Sequence, residues 1–276
     1  VRGLDALFAS VRFDNMEIDF RFQLWSRGLG RLLMLLALGG LFPCGALLSA
    51  AELTRTYQLE QGWNAIYLDI EPSDDGLETV FEGGIVDVVA RYFVPSTPVR
   101  FIENSMEQPW NMPGWSVWYS PQRAESFLST LHAAQGGAAY LVHAVKAGAL
   151  QVKGTVFYRP LEWAVDAYNL TGFPVEATGM TFAQYFAGSE NRVGSKVYRL
   201  KKGSWEKVSN LATTPIRPGE ACWVYCDGNT NYAGPFEVSI PAMTGLNLSD
   251  RSSAVVFDLR NRGNAPFSVM VGIEAN

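Results

Sequence analysis

The sequence predicts a mainly β fold with short helices, α+β only in minor part, arranged as two tandem copies of a β-rich unit followed by the start of a β-sandwich. Three observations predict it. Short runs alternate apolar and polar side chains between Gly, Pro, Asn and Asp punctuation, which is the period of half-buried strands. A set of motifs recurs in one order at two places in the chain. Beyond Pro241 the pattern changes to two alternating runs around a single turn. With 276 residues, 48% hydrophobic and 18% charged, the chain has globular composition and room for more than one core.

Arg27 and Arg31 precede an apolar run from Leu32 to Phe42, a Pro-Cys-Gly break and the small residues Ser49, Ala50 and Ala51. This is the layout of a secretory signal peptide cleaved near Ala50 or Ala51, and it implies a secreted or cell-surface destination. The competing reading is an uncleaved anchor, because Leu32 to Ala51 is about long enough to span a bilayer. Cys44 follows Pro43, whereas lipoprotein processing wants a small residue there. Residues 1–51 are set apart as leader and signal peptide, and 1–26, which open on Val, read as an over-long gene start. Removing residues 1–51 takes five of 22 basic and four of 27 acidic residues, leaving 17 against 23 and a net charge near −6. A chain this acidic, with no basic stripe, is not expected to bind nucleic acid, and meets a membrane only through the leader if it stays uncleaved.

The first copy spans 53–160. Alternation places strands at Thr56–Glu60 and Ala65–Ile70, a short helix at Gly76–Phe81, and strands at Val86–Phe93 and Val99–Glu103. A longer helix is expected from Ser120 as cap and Pro121 in the first turn. Ala124, Phe127, Leu128 and Leu131 fall at helical spacing, and Gly136-Gly137 stops it. Strands Ala139–Val145 and Leu150–Tyr158 close the copy. The second copy, 161–241, repeats the order with a helix at Thr181–Phe186 and strands at Lys196–Lys201, Trp205–Val208 and Ala221–Cys226.

The copies align through aromatic-Asn pairs, Trp63-Asn64 with Tyr168-Asn169, then "TVFEGG" with "QYFAGS", Gly137 of "GAAYLV" with Gly219 of "GEACWV", and "GALQV" with "GPFEV". The first copy carries some extra residues, placed between Pro95 and Gln122. Within "RPGEACWVYC", Ala221, Trp223 and Tyr225 alternate with Cys222, Val224 and Cys226. Positions four apart on a strand lie about 13 Å apart, whereas a disulfide needs its Cα atoms within about 7 Å. Cys222 and Cys226 are expected as buried apolar thiols. A disulfide across a bulge stays open, as does, less favoured, half a metal site. Residues 245–276, "SSAVVFDLRNRGNAPFSVMVGI" at their centre, open an immunoglobulin-like β-sandwich whose other strands are expected beyond Asn276.

The motifs "GWNAIYL", "PGWSVWYSP", "GGAAYLV", "YNLTGFPV", "RPGEACWVYCDG" and "YAGPFEV" after a signal peptide resemble the N-terminal region of large secreted bacterial surface proteins. Several of those continue into immunoglobulin-like and LamG-type modules. The resemblance covers most of 53–275 and implies a place at or outside the cell surface; it implies no catalytic residues.

Asp69, Glu71, Asp74, Asp75 and Glu78 could hold calcium, but a turn with a helix start explains the same acids. "DGNTNYAG" starts like an EF-hand loop, but Tyr232 stands where glycine is needed and Val238 where the last carboxylate belongs. The chain has two histidines, His132 and His143, and neither a nucleophile elbow nor a phosphate loop. The expectation is therefore no enzyme, no metal and no cofactor. Trp110, Trp115, Trp118 and Tyr119 lie in a Pro-bearing stretch and are the candidate ligand contacts, since sugar rings stack on exposed Trp and Tyr faces; a place in a core is the alternative. The sequence points to a structural or adhesive module with an extracellular protein or polysaccharide as partner, then to a carbohydrate-binding module, and last to a fragment of a secreted hydrolase.

Overall fold

A computed structural model describes residues 9–13, 52–81, 83–93, 114–156, 160–175, 179–190, 192–239, 258–263 and 267–271. The chain is mainly β and divides into two compact units, Ala50–Pro235 and a second one made of Val1–Ser49 with Phe236–Asn276. In chain order the elements are β1 (Ala9–Phe13), β2 (Leu53–Leu59), β3 (Gly62–Leu68), β4 (Ile70–Pro72), α1 (Leu77–Val80), β5 (Val86–Tyr92), β6 (Trp115–Tyr119), β7 (Ala138–Ala144) and β8 (Gly148–Val156). They continue as β9 (Ala167–Thr171), α2 (Phe182–Phe186), β10 (Val193–Lys201), β11 (Ser204–Lys207), β12 (Cys222–Cys226), β13 (Phe236–Ser239), β14 (Asp258–Asn261) and β15 (Phe267–Val271).

Two four-stranded antiparallel sheets dominate the unit Ala50–Pro235, with orders β3-β7-β5-β6 and β9-β12-β10-β11. Numbered within each sheet, both read first, fourth, second, third. Asn64 stands opposite Val142 and Asn169 opposite Val224, while Val142 and Val224 face Val89 and Val197 on their other side. The period of two then sorts the side chains. From β7, Tyr140, Val142 and Ala144 point to a core shared with α1 and the three-stranded sheet β2-β8-β4. From β12, Cys222, Val224 and Cys226 point to a core with Phe173, α2 and Tyr232. Leu141 and Trp223 take the opposite faces, where the sheets share an aromatic cluster that includes Trp63, Tyr92, Tyr119 and Trp205.

At the seam Tyr67, Ala139 and Ala221 pack with Ala65 and Leu170. A Cβ on Gly172 would lie 2.2 Å from Tyr67 Cβ, so the seam holds one ring and no side chain opposite it. The free edge of β3 is closed by the segment leading into β12: Tyr67 N donates to Gly219 O at 2.8 Å and Ala221 N to Ala65 O at 3.0 Å. Gly219 sits at φ +70°, and its missing side chain admits the Tyr57 ring.

The helix expected from Ser120 does not form; turns and one 3-10 turn, Ser126–Leu128, stand there. The free edge of β6 takes those groups instead. Ser129 Oγ accepts from Tyr119 N, Thr130 Oγ1 accepts from Val117 N, and Thr130 N and Leu131 N both donate to Val117 O. Hydroxyl side chains compete with helix for backbone groups, and a sheet edge supplies the partners. Phe127 is left 82% exposed while Leu131 is buried. The short helices form near their expected places, α2 closed by a Thr181–Gln184 capping box.

In the other unit β1 pairs with β15 and β13 with β14. The sequence reading gave no element to Ala9–Phe13 and counted Phe236–Ser239 in the second copy; here the latter pairs with the C-terminal stretch. Both copies as read from sequence, up to Pro235, lie in one compact unit. The expected strand Val99–Glu103 and the signal-peptide segment lie outside the described residues.

Candidate functional site

The motif residues are fixed first by backbone needs. Asn64 Oδ1 accepts from Glu60 N at 2.9 Å, and its Nδ2 donates to Glu60 O at 2.8 Å and Gly62 O at 3.0 Å. Asn169 repeats the arrangement, accepting from Ala164 N at 2.8 Å and donating to Ala164 O and Ala167 O. Each side chain closes the bend that starts its sheet. The aromatic before each packs across to the next strand, Trp63 on His143 at 5.2 Å and Tyr168 on Tyr225 at 5.1 Å. Gly137 N donates to Leu68 O at 2.7 Å, as the Gly219 segment does to β3 in reverse.

The candidate ligand contacts are corrected by their burial. Trp118 is 7% and Tyr119 8% exposed, Trp118 against Phe81 and Tyr119 in the cluster between the sheets. Trp115 is half-buried, 5.2 Å from Tyr92 and 6.4 Å from Trp223. The stretch "WSVWY" is β6 rather than loop, so its rings fill two cores and offer Trp118 and Tyr119 no free face to a sugar. Trp110 lies outside the described residues.

Cys222 and Cys226 are free and buried on one face of β12. Burial pushes both thiols up, away from the thiolate a nucleophile or metal ligand needs. The acidic stretch is divided among local partners. Asp69 takes Tyr57 OH at 2.8 Å and Arg55 Nε at 3.0 Å, Glu71 takes Gly136 N at 2.9 Å, and Asp74 takes Gly76 N at 2.8 Å. In the Asp227 loop, Tyr232 is buried and its carbonyl accepts from Trp163 Nε1 at 2.5 Å. Asp87, beside a bulge of β5, holds His143 Nδ1 at 2.5 Å and Arg123 Nη1 at 2.6 Å. This ties the chain after β6 to the sheet.

The open surface of interest is a groove of about 800 Å³, within the range of ligand sites. One wall is β2, from which Thr54, Arg55, Thr56, Tyr57 and Gln58 all contribute. Consecutive strand residues point to opposite faces, so a lining by five in a row means the groove follows the strand's edge. The far wall is the turn between β10 and β11, Lys201 and Lys202, with the Arg217–Glu220 segment. Glu220 is held by the buried Arg199, whose Nε donates to both carboxylate oxygens at 3.0 Å. Arg217 reaches Glu220 only at 3.8 Å and is 68% exposed. Sequence reasoning missed these cations because they come from separate parts of the chain; the Lys-Lys-Gly turn was the visible signal. The chain matches no family model, no curated protein and no solved structure.

Proposed function

We propose that this chain is a non-catalytic, structural or adhesive module of a secreted or cell-surface protein, built by internal duplication of a four-stranded unit. One observation carries the reading. The residues of its most conspicuous motifs, Trp63, Asn64, Tyr168, Asn169, Trp118 and Trp223, close turns and fill the cores of the two sheets. Matching strand orders support the duplication, and the leader and the resemblance to secreted surface proteins support the location. Burial of Trp118 and Tyr119 favours a protein partner over a polysaccharide.

The test uses beads coated with the full chain. Retention on surfaces of extracellular-matrix proteins and polysaccharides is measured beside release of reducing ends and new amino termini from the same polymers. Retention without release is expected. Heat-sensitive, time-dependent depolymerisation by the purified chain would overturn the reading and restore a hydrolase.

A further inference from the structure

We infer that the groove along β2 binds an extended acidic peptide as an added strand, which names the partner class of the module reading above and rests on it. The edges of the first large sheet are closed on both sides, β3 by Gly219–Ala221 and β6 by Ser129–Leu131. β2 differs. It runs seven residues, pairs with β8 on one side, and among the described residues no backbone group pairs with it on the other. Such an edge presents alternating N–H and C=O groups to any extended chain laid beside it.

The groove supplies the space for that chain and a charged far wall to read it. Lys202 stands at φ 47° in the tight β10–β11 turn, and no hydrogen bond or ion pair holds it among the described residues. Arg217 is exposed beside it on the same wall. Of the groove's three carboxylates, Asp69 and Glu220 are already held by Arg55 with Tyr57 and by Arg199, and Glu60 stands exposed just past the end of β2. The cations free to meet a ligand therefore outnumber the anions, and the complementary partner carries carboxylates at alternate positions on the side facing Lys202 and Arg217. A glycan is disfavoured because the aromatic residues of the groove, Tyr57 and Trp63, are 6% and 9% exposed.

The probes are acetyl-EVEVEVE-amide, its lysine counterpart acetyl-KVKVKVK-amide, and the acidic peptide N-methylated at alternate residues. Affinity for the full chain is read by fluorescence anisotropy and backbone protection by hydrogen exchange. Saturable binding of the acidic peptide is expected, with slowed exchange in Leu53–Leu59. Affinity should fall at least tenfold for the lysine peptide, for the methylated peptide, and for a Lys202→Glu, Arg217→Glu variant. Lys202→Ala replaces the double variant if that one fails to fold. Absence of saturable binding, equal binding of both charges, or protection confined to other strands would each overturn the site. If beads still adhere without cleavage while the peptide fails, the docking site is wrong and the module reading stands; cleavage removes the module reading whatever the peptide does.

Discussion

Gly172→Ala tests whether the two sheets meet as described, because a single methyl group there has nowhere to go. Its Cβ would lie 2.2 Å from Tyr67 Cβ, 2.3 Å from Tyr67 Cγ and 2.9 Å from the Glu220 carbonyl oxygen. Carbon atoms prefer about 3.5–4.0 Å, so the Tyr67 side chain, only 4% exposed, must shift by more than about 1 Å against a packed seam. Overpacking a close-packed core costs about 1–3 kcal/mol, and backbone on one side and a ring on the other place this case near the upper end. Gly172 is not at positive φ, so no backbone strain adds to the figure. Tyr67→Gly alone should cost about 3–5 kcal/mol for the aromatic truncation and about 1 kcal/mol more for glycine in a strand. The two changes should couple, since removing the ring together with its Cβ makes room for the methyl: the double variant should be more stable than the sum of the singles predicts by about 1–3 kcal/mol. Urea denaturation of the full chain, followed by tryptophan fluorescence, measures all four corners of the cycle. Additivity within about 0.5 kcal/mol, or a cost for Gly172→Ala below that, would refute the seam.

Four further outcomes follow from the packing. Arg199→Met leaves the Glu220 carboxylate, 17% exposed, without its main partner, and should cost about 3–5 kcal/mol in urea titration; adding Glu220→Gln should recover much of it, and a single-variant cost under about 1 kcal/mol would count against the buried pair. Tyr92→Phe removes a buried hydroxyl that has no hydrogen-bond partner among the described residues, so the same assay should show no loss, or a gain of up to about 1 kcal/mol. Cys222 and Cys226 should resist iodoacetamide in the native chain and label in denaturant, read by peptide mapping; fast native labelling would contradict their burial. Burial, with Asp69 second, pushes the Tyr67 hydroxyl up to about 12 from an ordinary 10.0. The folded state thus holds this proton more tightly, and its contribution is complete below about pH 10 and lost as pH rises toward about 12. Unfolding free energies from urea titrations between those values should fall by up to about 1.4 kcal/mol per pH unit from this group, and a flat profile would exclude the effect.

Most strands were legible because alternation between Gly, Pro and Asn turns carries both the element and its buried face, as at Ala221–Cys226, where Trp223 and Cys222 do fall on opposite sides. The segment after Ser120 was misread for a physical reason. Phe127, Leu128 and Leu131 fit a helical period, but Ser129 and Thr130 serve an edge strand that lies earlier in the chain, and local spacing does not contain that partner. The stretch Trp115–Tyr119 was misread because its neighbouring prolines suggest a loop, although Trp118 and Tyr119 on adjacent positions already imply two buried faces. Of the groove, only the turn at Lys201-Lys202 was visible; the juxtaposition of Arg55, Lys202 and Arg217 exists only once two sheets are folded.

The shared strand order has a consequence for timing. In each large sheet the last strand of the chain, β7 or β12, lies between the first and the second, so β3 and β9 have no neighbour in their sheet until it arrives, while β5 and β10 can pair only with β6 and β11. A nascent chain therefore emerges through residue 137 without a completed first sheet, and that sheet's aromatic face is covered only when Trp205 and Trp223 follow. Long-range closure of this kind delays folding relative to synthesis. A chain wired in this way closes in two steps, its first sheet only after β7 has been made and its second only after β12, and each sheet stays open until its last strand follows.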